Sequence, residues 1–252
     1  MTALVTGASS GIGREIARKL ASMGIRLVIS GRNVEKLEEL RDEIGANRVK
    51  IIPADISQTS ECVRLYKEAS AYNVNILVNN AGFGLFGRFE TTELERELEM
   101  IDVNVKAVHA LTKLFLNDFS ARNKGYILNV ASAAGFMAGP LMSTYYATKN
   151  YVVKLTEAIH EELRVQGSNV YIGAFCPGPV MTPFNDVAGV DFGLRGITAR
   201  EAADCAVKGM FERKQIIVPT LKMKIAVYGS RIVPDPLLAR VTYNIQTKKG
   251  ES

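Results

Sequence analysis

Seven short runs of β-branched and apolar residues punctuate the chain: TALVT, RLVIS, VKIIP, NILVN, GYILNV, NVYIGAF and QIIVPT. Their apolar positions are consecutive rather than alternate, as in strands covered on both faces of a parallel sheet. Between them, apolar residues recur at helical spacing over 12–23, 33–44, 59–72, 92–122, 144–166 and 199–212. Seven strands alternating with six helices predict a single α/β domain. Its parallel sheet is doubly wound, with right-handed crossovers and helices on both faces. Two stretches break the rhythm. PGPVMTPFNDVAGVDFGLRG, from Pro177 to Gly196, is rich in Gly and Pro and predicts a long loop of the kind that serves as a lid or binding segment. From Leu221 the chain continues past the last strand as an extension.

Composition narrows the setting. With 47% hydrophobic and 23% charged residues in 252, the chain resembles ordinary globular proteins and can bury a large core. No apolar run reaches a membrane span, and the first residues enter a strand at once, so no cleavable leader is expected. Cys62, Cys176 and Cys205 are scattered and odd in number, so they read as reduced packing residues and the expected compartment is cytoplasmic. His109 and His160 stand alone, and no spacing predicts a metal site. The net charge of +5 is confined to residues 214–252, where seven Lys and Arg face two Asp and Glu; the rest carries 24 of each. A general nucleic-acid surface is therefore not expected.

Two local patterns carry chemistry. In TGASSGIGREIARKL, directly after the first strand, Gly7, Gly11 and Gly13 allow a tight turn and close backbone approach, while Ser9, Ser10 and Ile12 lead into a helix. The first N–H groups of that helix and its dipole suit a pyrophosphate. The second pattern is STYYATKNYVVKL, from Ser143 to Leu155. On a helix turning about 100° per residue, Tyr145 comes within about 40° of Lys149 and Tyr146 within about 60°. Spacing alone leaves the choice between the two tyrosines open.

With the glycine turn, NNAG at Asn79–Gly82, NV at Asn104–Val105, NVAS ending at Ser132, YYATK at Tyr145–Lys149 and PGPVMT at Pro177–Thr182, residues 3 to 219 resemble the short-chain dehydrogenase/reductase family. The resemblance implies a Rossmann-type fold binding a nicotinamide dinucleotide over 1–220. Residues 177–198 would form its substrate loop, and the basic residues 221–252 would extend the same domain. It selects Tyr145 as the proton donor, with Lys149 lowering its pKa and holding the nicotinamide ribose, Ser132 binding the substrate oxygen and Asn104 holding a relay water. It also implies cofactor contacts at Asp55 and Ile56, at Asn80, Ala81 and Gly82, and at Pro177, Gly178, Val180 and Thr182. Ala131 stands where relatives often have a second serine.

The second strand ends VISGRN. Gly31 stands where relatives preferring NAD carry Asp, and the Arg32 guanidinium suits a 2′-phosphate by charge and fork geometry. The expected function is therefore an NADP(H)-dependent carbonyl reductase acting on a small carbonyl compound. An NAD-preferring dehydrogenase and a catalytically silent dinucleotide-binding protein are the alternatives. Phe83, Leu85, Phe86, Phe89, Met181, Phe184, Val187, Val190, Phe192 and Leu194 suggest an apolar substrate pocket or a packed lid. Relatives associate through the fourth and fifth helical stretches, so a homodimer or homotetramer is expected. For the basic tail, cover over the cleft or a subunit interface is the favoured role and contact with an anionic membrane the alternative. Pro234 and Pro236 are expected to split it into two short helices.

Overall fold

The computed structural model describes residues 1–184 and 196–250. Strand β1 (Thr2–Thr6) is buried at all five positions, which explains its unbroken run of small and apolar side chains. Around it lie β2 (Arg26–Ser30), β3 (Val49–Ile51), β4 (Ile76–Asn79), β5 (Gly125–Val130), β6 (Val170–Phe175) and β9 (Ile216–Ile217). All are parallel, in the order β3-β2-β1-β4-β5-β6-β9. The winding reverses between β1 and β4, and such a reversal opens a crevice at the strands' carboxyl ends.

Alternate side chains of one strand enter different cores. Ala3 and Val5 pack on α1 (Gly11–Ser22), α2 (Val34–Ile44) and α7 (Ala199–Phe211). Leu4 faces the opposite layer, formed by α3 (Thr59–Ser70), α4 (Leu94–Ile101), α5 (Val108–Ala121) and α6 (Ser143–Val165).

Three expectations need correction. The helical stretch 92–122 is continuous but not α-helical throughout: between α4 and α5 it widens into a π-type turn over Asp102–Ala107. The stretch 177–198 is not wholly loop, because β7 (Val180–Met181) pairs in parallel with β8 (Ile197–Thr198). Thr198 then caps α7 in a reciprocal arrangement with Glu201. Val187, Val190, Phe192 and Leu194 lie outside the described residues. The tail forms α8 (Leu221–Gly229) and α9 (Asp235–Gly250), and the second of these runs 16 residues rather than being short. Pro236 falls in the first turn of α9, where a missing N–H breaks no helical bond, so only the Ser230–Pro234 link interrupts the tail. No helix among the described residues is long and apolar enough to cross a membrane.

Candidate active site

The turn between β1 and α1 is held by backbone constraints. Gly7 and Gly11 adopt φ of +64° and +55°, a region that side chains with a Cβ avoid. A Cβ on Gly13 would stand 2.3 Å from Asn80 Nδ2 and 2.4 Å from the Gly7 carbonyl oxygen. The Asn80 amide donates to the carbonyls of Thr6 and Gly7, and the Thr6 hydroxyl accepts the backbone N–H groups of Asn80 and Ala81. Asn80 and Ala81 thus brace the turn from the end of β4; the side chain of Asn80 is engaged there rather than directed at a ligand. Ser10 precedes α1 without a side-chain cap, leaving the N–H groups of the first turn for an anion. Thr182 closes the turn from the far side, its Cγ2 3.3 Å from where a Gly11 Cβ would be.

This arrangement fits a dinucleotide. A backbone-lined cradle faces a helix N-terminus, and beside it the buried Ser30 hydroxyl at the end of β2 has no hydrogen-bond partner. Ser9 Oγ lies 3.6 Å from the Cβ position of Gly31, so Ser9 and Gly31 border the same corner. Arg32 follows, mostly exposed, and its guanidinium donates to Glu99 of α4 at 3.0 Å. Glu99 is also held by Arg96, whose guanidinium lies 4.0 Å over the Phe83 ring. Asp55 is exposed and accepts the N–H of Ser57 at 3.2 Å, while Ile56 beside it is buried. Asp55 therefore shapes the entry to α3 without capping the helix itself, which begins after Gln58.

Ser132, Tyr145 and Lys149 meet at the carboxyl end of β5. Ser132 leaves the strand in extended conformation, accepts the N–H of Ala134 at 3.1 Å and so caps the short turn Ala133–Phe136. Its hydroxyl also reaches the carbonyl of Pro177 at 3.5 Å. Lys149 is buried, donates to the Val130 carbonyl at 3.0 Å and sits 5.8 Å from the Tyr145 ring centre. Desolvation lowers its pKa to about 8. The same burial raises Tyr145 above the ordinary phenol value, against the opposing influence of the Ser132 hydroxyl. The expectation is that the ammonium and the ring of a bound oxidised cofactor lower the tyrosine's pKa. Desolvation is the largest influence on the phenol here and favours its protonated form.

Tyr146 takes a different path. Its hydroxyl accepts a hydrogen bond from Gln246 of α9 at 2.8 Å, and its ring fills the space over Gly139. The neighbouring tyrosines thus have separate environments, and only Tyr145 faces Lys149. Asn104 sits in the π-type turn, fully buried. Its amide donates to the Phe83 carbonyl and to Thr148, and its Oδ1 accepts the Phe83 N–H. A Cβ on Gly82 would come within 2.8 Å of that Oδ1 and 3.4 Å of Lys149 Nζ. The widened turn thus brings Asn104 against the NNAG segment at the same glycine that Lys149 borders, a use of extra backbone common at functional sites.

On the substrate side, the Phe184 ring lies 5.5 Å from that of Tyr145, and Gly84 lies against Phe184, Met142 and Tyr145. The wall beside the tyrosine is therefore apolar. Pro177 is buried and accepts the N–H of Ala133, while Gly178 is pressed by Met223 of α8. Val180 is buried on β7.

Several contributors were not read from the sequence. Thr6 and Thr148 each satisfy a residue of the site. Asn79, Thr112, Asn129 and Thr156 form a buried side-chain chain under it. Asn150 donates to the carbonyls of Ala134, Met137 and Tyr146, fixing the loop before α6. The legible signal was asparagine inside the otherwise apolar strands NILVN and GYILNV, since a buried amide requires partners. Glu99 and Gln246 had no local signal.

Residues 1–190 match the short chain dehydrogenase family. An uncharacterized oxidoreductase of Staphylococcus epidermidis is 32% identical over 219 residues, covering 86% of this chain and 93% of the relative. A short-chain dehydrogenase from Sphingobium yanoikuyae in complex with NADPH superposes with a TM-score of 0.83 at 29% identity, covering 91% of this chain and 93% of that one. A short chain dehydrogenase/reductase from Burkholderia phymatum in complex with NAD gives 0.82 at 28% identity, covering 90% and 91%. The glycine turn, the Ser132–Tyr145–Lys149 cluster and these likenesses agree: the chain belongs to the short-chain dehydrogenase family and is an oxidoreductase on a Rossmann-type fold.

Proposed function

We propose that the chain is an NADP(H)-dependent carbonyl reductase that interconverts an apolar ketone or aldehyde and its alcohol. The observation that carries the cofactor choice is the Gly31–Arg32 pair at the end of β2: no carboxylate meets the ribose there, and a guanidinium follows. Gly7, Ser9, Ser10, Gly11, Ile12 and Gly13 would cradle the pyrophosphate, with Asp55 and Ile56 toward the adenine. Asn80, Ala81 and Gly82 would border the ribose, and Pro177, Gly178, Val180 and Thr182 the carboxamide. When bound, the nicotinamide supplies the hydride and, once oxidised, a positive ring.

Tyr145 donates its proton to the substrate oxygen as charge develops, which is general acid catalysis. Burial suits this role, since it keeps the phenol protonated until the substrate demands the proton. Ser132 holds the same oxygen by hydrogen bond. Lys149 stands behind the tyrosine and would hold the ribose, with Asn104 on the other side of Gly82. Phe184, Met142 and Gly84 favour an apolar group beside the carbonyl. The domain is proposed to run over 1–220, with 221–252 as an extension of the same unit, and to work as a homodimer or homotetramer.

One observation favours NAD instead. Glu99 already pairs with Arg32, and that carboxylate competes with a phosphate dianion for the guanidinium. Oxidation of NADPH and of NADH, followed across ketones, aldehydes and acyl thioesters, separates the readings. A kcat/KM ratio well above one for NADPH on apolar ketones is expected; a ratio below one reverses the cofactor assignment, and absence of turnover across the panel opposes the catalytic reading.

A further inference from the structure

Helix α8 is apolar on two sides. Val227 is buried and Met223 packs beside it against the sheet's edge layer, as a core helix requires. On its other side Leu221, Ile225 and Tyr228 are 73%, 66% and 52% exposed, with Ile232 following at 86%. Spacings of four and three residues place the first three within about 60° of arc, a continuous stripe. Helix α9 shares only the bare apolar stripe, its buried side being polar. Thr242 and Gln246 are buried on its inner side, while Leu237, Val241 and Ile245 are about half exposed at four-residue spacing. A helix that is apolar around its circumference is normally covered all round. In α8 one such side is bare.

The charge of the same segment says what covers it. Residues 214–252 carry the entire net charge of +5, the rest of the chain being balanced. Arg231 and Lys214 pair with Glu157 and Glu212. Lys222, Lys224 and Arg240 are exposed and have no acidic partner among the described residues. Exposed Leu, Ile and Tyr interleaved with free Lys and Arg match the surface of a lipid bilayer with anionic headgroups, where apolar side chains enter the acyl boundary and cations meet phosphate. A two-fold contact with a second copy would set this basic segment against itself, which electrostatics opposes. We infer that the outer face of α8 and α9 docks on an anionic membrane surface, seating the domain there peripherally. The inner faces of both helices rest on the catalytic domain, in keeping with the covering role preferred from the sequence, so the inference concerns the outer faces alone.

The test is cosedimentation of the full chain with vesicles of phosphatidylcholine alone and of phosphatidylcholine mixed equally with phosphatidylglycerol, at low and high salt. Binding to the anionic vesicles, weakened by salt and absent from the neutral ones, is expected. Lys222→Gln and Lys224→Gln should each lower the partition coefficient about fivefold. Ile225→Glu with Ile232→Glu should abolish binding, and because both sites are exposed the variant's circular dichroism and melting should match wild type. Failure to bind anionic vesicles, or equal binding by all variants, overturns the proposal. So does salt-insensitive dimerisation in the ultracentrifuge that the Ile225→Glu, Ile232→Glu variant removes, an outcome that assigns the face to a second copy.

Discussion

At the β1–α1 turn the chain is held by its backbone, whereas at the contact of α9 with Tyr146 it is held by side chains 100 residues apart. In the turn, Gly7 and Gly11 need positive φ and Gly13 has no room for a Cβ, so residue identity follows from geometry. At the contact, Gln246 could be replaced by other donors, and nothing in the flanking sequence marks it. The difference shows where substitutions should be severe and where they should be graded. It also shows why the cofactor end was recognisable while the tail was ambiguous.

The largest effect is expected at the backbone-held end. Gly13→Ala forces a methyl against Asn80 and the Gly7 carbonyl, and overpacking of this kind costs about 3 kcal/mol. Urea unfolding should show that loss together with weakened dinucleotide binding; a neutral result would mean the turn is more compliant than its geometry implies.

Lys149→Met probes the junction between the two regions. Turnover should fall by about 10²-fold or more, while stability at pH 7 should rise because a buried charge is removed. The sign follows from the depressed lysine pKa. Between about 8 and 10.5 the unfolded chain binds more protons than the folded one, so wild type gains stability as pH rises through that window. The advantage of the variant should therefore shrink from pH 7 toward pH 10.5, and an advantage independent of pH would contradict the desolvated ammonium.

Arg32→Ala should weaken NADPH binding by about 1.5 kcal/mol and leave NADH nearly unchanged, the low end of what a hydrogen bond to a charged group contributes. The low end is appropriate because Arg32 is exposed and must exchange Glu99 for the phosphate. Equal losses for both cofactors would remove Arg32 from the specificity argument. Gln246→Ala is the mildest test. Loss of one hydrogen bond to Tyr146 should cost about 1 kcal/mol in melting experiments and reduce turnover only a few-fold. A collapse of activity would show that the side-chain-held end constrains the catalytic tyrosine as tightly as the backbone holds the cofactor turn.

The seven strands were legible because burial on both faces of a parallel sheet requires consecutive apolar residues, a pattern that survives in one dimension. The six helical stretches followed from their apolar spacing. The π-type turn was not legible, since DVNVKA keeps an acceptable helical pattern and only the Asn104 contacts with Phe83 and Thr148 reveal the extra backbone. The β7–β8 pair was hidden because two-residue strands leave no periodicity. Of the site, Ser132, Tyr145 and Lys149 were found through motif order. What the motifs could not convey was the balance of forces on Tyr145, because desolvation depends on Phe184, Met142 and Gly84 closing around it from distant segments. Glu99 was missed for a similar reason: its partner Arg32 lies 67 residues away.

The paired variants Tyr145→Phe and Tyr146→Phe test the central claim most directly, through steady-state reduction of a ketone the wild type accepts and NADPH affinity measured by fluorescence. Tyr145→Phe should lose turnover by about 10³-fold with NADPH affinity nearly unchanged, as expected when only the proton donor is removed. Tyr146→Phe should keep a substantial share of the activity, having lost only its bond to Gln246. The reverse ranking, or equal and modest losses in both, would contradict Tyr145 as the acid of this site.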